Sequence, residues 1–188
     1  LKSPRVGQPS WSRSYTAPSY RTAKGGQAYA LQVLAEILGG GATARLYRSL
    51  VVEQGIAASA GAWYSPNRLD FGSFGISATP RPGQVHEKVA AAVVAEIGRL
   101  VTDGVTTEEV AETTRRMRAS AIYARDSLRA GPNIFGRSLS TGRTVADVEA
   151  WPERIAAVTV ADVDAAARAV FIDANSVTSV LLPGKGKR

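Results

Sequence analysis

The 188 residues include 45% hydrophobic residues and no cysteine, and they carry a formal net charge of +7. The absence of cysteine excludes disulfides, thiol catalysis and cysteine-ligated metal within the chain. No apolar run approaches the roughly 18 residues of a bilayer-spanning helix, so no membrane span is expected. The charge invites a nucleic-acid reading, but its distribution opposes one. Lys2, Arg5, Arg13, Arg21 and Lys24 open the chain without an acid, and Lys185, Lys187 and Arg188 close it. The body between them holds 15 basic and 16 acidic residues, so no basic face stands on folded structure. The length suits one domain with a sizeable core. The start at Leu1, with Met117 the sole methionine, suggests a piece of a longer protein.

Residues 1–11 read as a linker, broken by Pro4, Gly7 and Pro9. Trp11–Ala17 alternates loosely and predicts a first strand. Gln27–Leu38 has the helical period, with Tyr29, Val33 and Ile37 on one row and Ala30, Leu34 and Leu38 on another. Gly39, Gly40 and Gly41 end it, because glycine takes the left-handed backbone of a helix exit without penalty. A second helix is predicted from about Ala42 to Gln54, closed by Gly55. Ile56–Tyr64 and Phe71–Thr79 predict an antiparallel hairpin about a turn containing Pro66, Asn67 and Asp70. Phe74, Ile76 and Ala78 alternate with small and polar residues along its second strand.

A long helix follows Gly83, with Val85, Val89, Val93, Ile97 and Leu100 on one face, and Gly104 stops it. Thr106 and Glu109 have capping-box spacing for a helix reaching about Leu128. Pro132–Leu139 predicts one more short helix. Thr-Val-Ala-Asp-Val occurs at 144–148 and again at 159–163, and each copy reads as a helix start. Asn175–Leu182 is the last strand, and 184–188 is a basic, flexible tail. Helices grouped between strands predict an α+β fold, a mainly antiparallel sheet with helices on one face.

The chemistry-bearing residues are sparse. A zinc site needs several converging ligands, and the chain has one histidine, His86, expected on the surface at a helix start. Glu108, Glu109 and Glu112 suit the positive end of a helix dipole. Arg115, Arg116 and Arg118 lie near enough downstream for ion pairs one turn away. The glycine triplet is not a phosphate loop, because Gly-Ala-Thr follows where Gly-Lys-Ser/Thr would be needed.

Gly-Gly-Gly-x-x-x-Arg-Leu-Tyr-x-x-Leu, from Gly39 to Leu50, resembles a signature of the pitrilysin/insulinase family of zinc metallopeptidases. The likeness continues through Gly55-Ile56-Ala57, through Asp70-Phe71-Gly72-Ser73-Phe74, and through Gly104-Val105-Thr106 ahead of Glu108 and Glu109. It spans residues 12–183 and is to the family's second, C-terminal domain, as in bacterial relatives of the mitochondrial processing peptidase.

The resemblance implies a half-clamshell domain, with Gly39, Gly40, Gly41, Arg45, Leu46 and Tyr47 forming the motif beside a peptide chamber. It implies zinc in a separate N-terminal domain, none in this chain, and peptides as substrates. Many members place an Arg and a Tyr seven residues apart after the glycine motif, poised to stabilise an oxyanion. Those positions are Val51 and Ala58 here, so no catalytic residue is expected in this chain. Arg48, Tyr47 and Tyr64 lie nearby at the wrong spacing. The pair would come from a homologous partner subunit. The leading expectation is the C-terminal half of a metalloendopeptidase subunit, inactive alone. The alternatives are a non-catalytic structural or peptide-binding subunit of the same family, and an unrelated α+β binding domain. Periplasm and cytoplasm of a bacterium are equally compatible.

Overall fold

The structure, a computed structural model, describes residues 1–124 and 126–184. A five-stranded sheet runs in the order β1-β5-β2-β4-β3. Its strands are β1 (Lys2–Ser3), β2 (Ser10–Ala17), β3 (Ala57–Ser65), β4 (Gly72–Pro80) and β5 (Ser176–Pro183). The β2–β4, β2–β5 and β3–β4 pairs are antiparallel, and β1 lies parallel to β5. The α+β architecture with a mainly antiparallel sheet is therefore present as expected.

Period-two patterning builds the sheet's inner face. Trp11, Tyr15 and Ala17 of β2 and Phe74, Ile76 and Ala78 of β4 are all buried. Against them lies α1 (Gln27–Gly39), with Leu31, Leu34 and Leu38 fully enclosed. Nearly every side of α1 is buried, which marks the central helix of a core rather than a surface helix. Helices α7 (Val160–Val170), α3 (Thr107–Ala124) and α6 (Trp151–Ala156) pack against it, α2 (His86–Asp103) lies on β2 and β4 beside α7, and α4 (Ala130–Ser140) and α5 (Val145–Glu149) form an outer corner. Tyr15, Phe171 and Phe74 meet edge to face at 5.2 and 5.3 Å.

The local signals of helix starts hold. Thr144 and Thr159 each accept from the backbone N–H of the aspartate three residues on, and that carboxylate accepts from the threonine N–H. Thr106 and Glu109 form the same reciprocal pair ahead of α3. Gly104 ends α2 at φ +77°, where a side chain would be strained.

Two expectations need correction. The opening residues are not outside the sheet: Lys2–Ser3 pair with Leu182–Pro183, and the Leu1 ammonium donates to the Val180 carbonyl at 3.0 Å. A two-residue strand is too short to carry a period. The second helix begins at Arg45, not Ala42, because residues 41–44 are turn and Gly41 takes φ +128°. It is π-helical over Tyr47–Glu53. Of the predicted tail, 185–188 lie outside the described residues.

Candidate functional site

Each glycine of the triplet answers a different constraint. A Cβ at Gly39 would lie 1.8 Å from the Ala62 backbone nitrogen, so the end of α1 touches β3 only because the side chain is missing. A Cβ at Gly40 would meet the Glu36 carboxylate at 2.1 Å. Gly41 supplies the positive φ that turns the chain toward Arg45.

Arg45 closes the corner. Its guanidinium forks onto Glu109, Nε to Oε1 and Nη2 to Oε2, both at 2.6 Å, and Nη2 also donates to the Gly104 carbonyl at 3.0 Å. Burial pushes the Glu109 carboxyl up, but the hydrogen bonds from Arg45 and the Thr106 N–H outweigh it and hold the group below its ordinary value. The pair ties the start of the π-helix to the α2–α3 turn. Leu46 is fully buried, and Tyr47 is half-buried against the core. The expected one-turn pairs between the α3 glutamates and Arg115, Arg116 or Arg118 do not occur among the described residues; Glu109 is taken by Arg45, 64 positions away.

The π-helix is held at both its middle and its end. Ser49 accepts from Gln54 Nε2 at 3.0 Å and stands 3.5 Å from Arg99 Nη2, which in turn pairs with the buried Glu96 of α2. Arg81, just after β4, donates to the carbonyls of Val51 (3.1 Å) and Ala57 (3.2 Å). It thereby satisfies acceptors that the wider π turn and the entry into β3 leave open. Nothing in the sequence marked Arg81, since its partners are main-chain atoms 24 and 30 residues away.

Val51 and Ala58 sit on either side of this corner. The Val51 side chain is 7% exposed and belongs to the core. Ala58 is exposed at a register irregularity between Ala57 and Ser59. Neither side chain can donate a hydrogen bond. Arg48 is exposed and paired with Glu53 at 3.4 Å. Burial pushes the Tyr64 phenol up, and its hydroxyl donates to the Pro18 carbonyl. Tyr64 is thus committed to the fold. Arg45, Arg81 and Tyr64 all bind backbone carbonyls at this corner.

The sheet's outer face is the accessible surface beside it. By register, its positions are Ser10, Ser12, Ser14 and Thr16 on β2, Ser73, Gly75, Ser77 and Thr79 on β4, and Ser59, Gly61, Trp63 and Ser65 on β3. Val177, Ser179 and Leu181 continue it on β5. No charged residue occupies any of these positions. Trp63 lies over Gly75, where an added Cβ would stand 2.2 Å from the indole, and remains 42% exposed. The face is a neutral, hydroxyl-bearing platform with one flat aromatic.

His86 stands at the start of α2 with Nδ1 3.1 Å from Glu87 Oε2. Among the described residues no three His, Asp or Glu groups converge as a metal site. His86 with Glu87 alone is too few donors for a zinc centre. No helix of the described residues is long and apolar enough to cross a membrane.

Comparison with known proteins agrees with this geometry. Residues 2–117 match the family described as the peptidase M16 inactive domain. An uncharacterized zinc protease of Streptomyces coelicolor is 32% identical over 160 residues, covering 85% of this chain and 34% of that protein. The chain thus spans about a third of the length of this curated relative. A protease from Helicobacter pylori superposes with a TM-score of 0.88 at 21% identity, over 97% of this chain and 43% of that one. An inactive peptidase domain from Bordetella parapertussis superposes at 0.84 and 18% identity, over 100% of this chain and 97% of that one. At these identities the structural likeness is one of fold.

Proposed function

Since the chain belongs to the peptidase M16 inactive-domain family, we propose that it forms the non-catalytic half of a peptide-binding chamber in a zinc-dependent metalloendopeptidase. In this reading the domain takes in residues 12–183 together with the opening residues that pair into its sheet, and zinc is held by a separate N-terminal domain. Zinc bound there would supply Lewis-acid chemistry at the peptide carbonyl, and this chain would contribute a wall of the chamber. The family match sets aside the alternative of an unrelated α+β domain.

The neutral outer face of the sheet carries the proposal. An extended peptide presents side chains on alternating sides, and a pleated face of small hydroxyls with one indole accepts such a chain without selecting by charge. Trp63 offers apolar area and a rigid ring at low entropic cost. Val51 and Ala58 supply no oxyanion donor, so a homologous partner subunit carrying the Arg/Tyr pair supplies that stabilisation. The reading in which the whole assembly is structural rests on the same two positions, and zinc content separates the two.

The test is titration of the chain with unstructured peptides, followed by the fluorescence of Trp63 in a background where Trp11 and Trp151 are phenylalanine. Saturable binding without cleavage, weakened by Trp63→Ser, is the expected result. Indifference of every peptide to Trp63 refutes the assignment of this face.

A further inference from the structure

We propose that the cavity under α3 and α4 binds a small, neutral, largely apolar molecule that carries a carbonyl-type hydrogen-bond acceptor. The cavity lies at the outer corner and shares no lining residue with the open sheet face. Its volume is about 850 Å³, within the range of clefts that enclose most of a ligand's surface. Ala121 of α3, Ile134 and Phe135 of α4, Trp151 of α6 and Pro66 of the β3–β4 loop give it mostly apolar walls. Burial of apolar ligand surface against them supplies the driving force.

Two hydroxyls supply the specific chemistry. Ser138 lines the cavity from α4 and is 2% exposed. Among the described residues its hydroxyl has no hydrogen-bond partner. Nor is it sealed off: among the described residues the only fully enclosed side-chain polar atom without a partner is Asn67 Oδ1. The Tyr20 hydroxyl, also in the lining, accepts from Gln32 Nε2 at 2.9 Å. Its own proton has no acceptor among the described residues. Burial pushes the Tyr20 phenol up, so that proton stays in place at neutral pH. Donors held away from bulk water with nothing to donate to call for an acceptor from outside the chain.

The groups around these hydroxyls are fixed in advance. Gln32 accepts the Trp151 indole N–H at 2.9 Å and donates to the Ala28 carbonyl at 3.1 Å, which orients its amide toward Tyr20. The Arg143 guanidinium stacks 3.8 Å above the Tyr20 ring and donates from Nη2 to the Asp147 carbonyl at 2.6 Å. Side chains already locked in this way lose little freedom when a ligand arrives.

Charge and depth narrow the occupant. The lining holds one cation, Arg143, and one acid, Glu149, so it carries no net charge. An ionic ligand would give up its hydration without a net counter-charge in return. A polypeptide laid across the opening keeps its main chain outside and meets Ser138 only with the tip of a side chain. A compact molecule enters whole and brings its acceptor to a buried hydroxyl.

The test titrates the 188-residue chain with three dyes read by fluorescence. Nile red is neutral, apolar and bears a ring carbonyl; pyrene is neutral and apolar without an acceptor; anilinonaphthalene sulfonate is anionic. Four variants, each checked for native circular dichroism, accompany the native chain: Ser138→Ala, Tyr20→Phe, Gly131→Phe and Trp63→Ser. Gly131 lines the cavity from α4, and nothing lies within 4 Å of a Cβ added there, so the new ring has room to fill the space. Nile red is expected to bind the native chain saturably, one dye per chain, and more tightly than the anionic dye. Its binding is expected to weaken roughly three- to tenfold on Ser138→Ala and on Tyr20→Phe, the worth of one hydrogen bond each. Gly131→Phe is expected to abolish it, and Trp63→Ser to leave it unchanged. Pyrene is expected to bind the native chain and to ignore both hydroxyl variants. No saturable Nile red binding, indifference to Gly131→Phe or to both hydroxyl variants, loss on Trp63→Ser, or tighter binding of the anionic dye overturns the proposal. Should Gly131→Phe fail to fold, the two hydroxyl variants decide alone.

Discussion

Replacing Gly39 by alanine tests the central packing of the fold, because the same substitution elsewhere has the opposite sign. The added methyl would stand 1.8 Å from Ala62 N and 2.7 Å from both Ala62 Cα and the Gly61 carbonyl carbon. All three are backbone atoms of β3 and cannot rotate away. Reaching ordinary contact near 3.4 Å requires the end of α1 to retreat by about 1.6 Å. That end carries Leu38, with Leu34 and Leu31 one and two turns behind, all fully buried. Overpacking a core typically costs about 1–3 kcal/mol, and a contact with immovable backbone belongs at the upper end, about 3 kcal/mol. In a chain of this length each kcal/mol moves the melting temperature by about 2–4 °C, so Gly39→Ala is expected to melt about 6–12 °C lower. Gly98 is the control. It lies exposed inside α2 with nothing within 4 Å of an added Cβ. Alanine there restores helix propensity and is expected to raise stability by about 0.5–1 kcal/mol. Thermal and urea unfolding followed by circular dichroism measure both. A Gly39→Ala protein within about 2 °C of the native chain would show that α1 and β3 are not in the contact described.

The remaining expectations concern charge and the open face. Arg45→Ala removes a forked, mostly buried pair and leaves the Gly104 carbonyl without its donor; the cost is expected near 3 kcal/mol at pH 7 in urea unfolding. Glu109 has its folded pKa below its unfolded one, so the pair's contribution is complete above the unfolded value and is lost as pH falls through the folded value. The penalty for Arg45→Ala is therefore expected to shrink on acidification; an unchanged penalty in acid would remove the electrostatic explanation. Hydrogen bonds from the Thr144 backbone and side chain bring Asp147 down to about 2, so Asp147→Asn is expected to cost about 1 kcal/mol at neutral pH and progressively less as pH falls from near 4 toward 2, read by urea unfolding across that range. Trp63→Phe is expected to keep peptide binding within a few-fold of native while Trp63→Ser loses most of it, because the ring's apolar area carries the contact; titration by anisotropy decides.

Much of this fold is legible because local chemistry repeats it. The Thr-x-x-Asp pairs at 144 and 159 name their helix starts outright, since each satisfies its orphan N–H within four residues. Phe74, Ile76 and Ala78 announce which face of β4 is buried. What escaped has partners distant in sequence. Arg45 looks like a motif residue until Glu109 is found beside it, and the acids of α3 look like partners for the arginines one turn on. Arg81 carries no pattern at all, because it staples main-chain carbonyls distant in sequence. The π turn escaped because Leu46 and Leu50 fit an α-helix equally well, and the contacts that accompany the wider winding, Ser49 with Gln54 and Arg99 and Arg81 with the Val51 carbonyl, have no sequence pattern. The candidate surface was half legible. The glycine motif pointed to the corner, but the neutrality of the sheet's outer face appears only once the register sets those serines and threonines side by side.

The most direct test of the account is hydrolysis of a quenched fluorogenic peptide by this chain alone and by its full-length parent, each supplied with zinc and then with chelator. The account predicts no turnover by the chain under any condition, and chelator-sensitive turnover by the parent with its homologous partner subunit. Zinc-dependent turnover by the chain alone would contradict it.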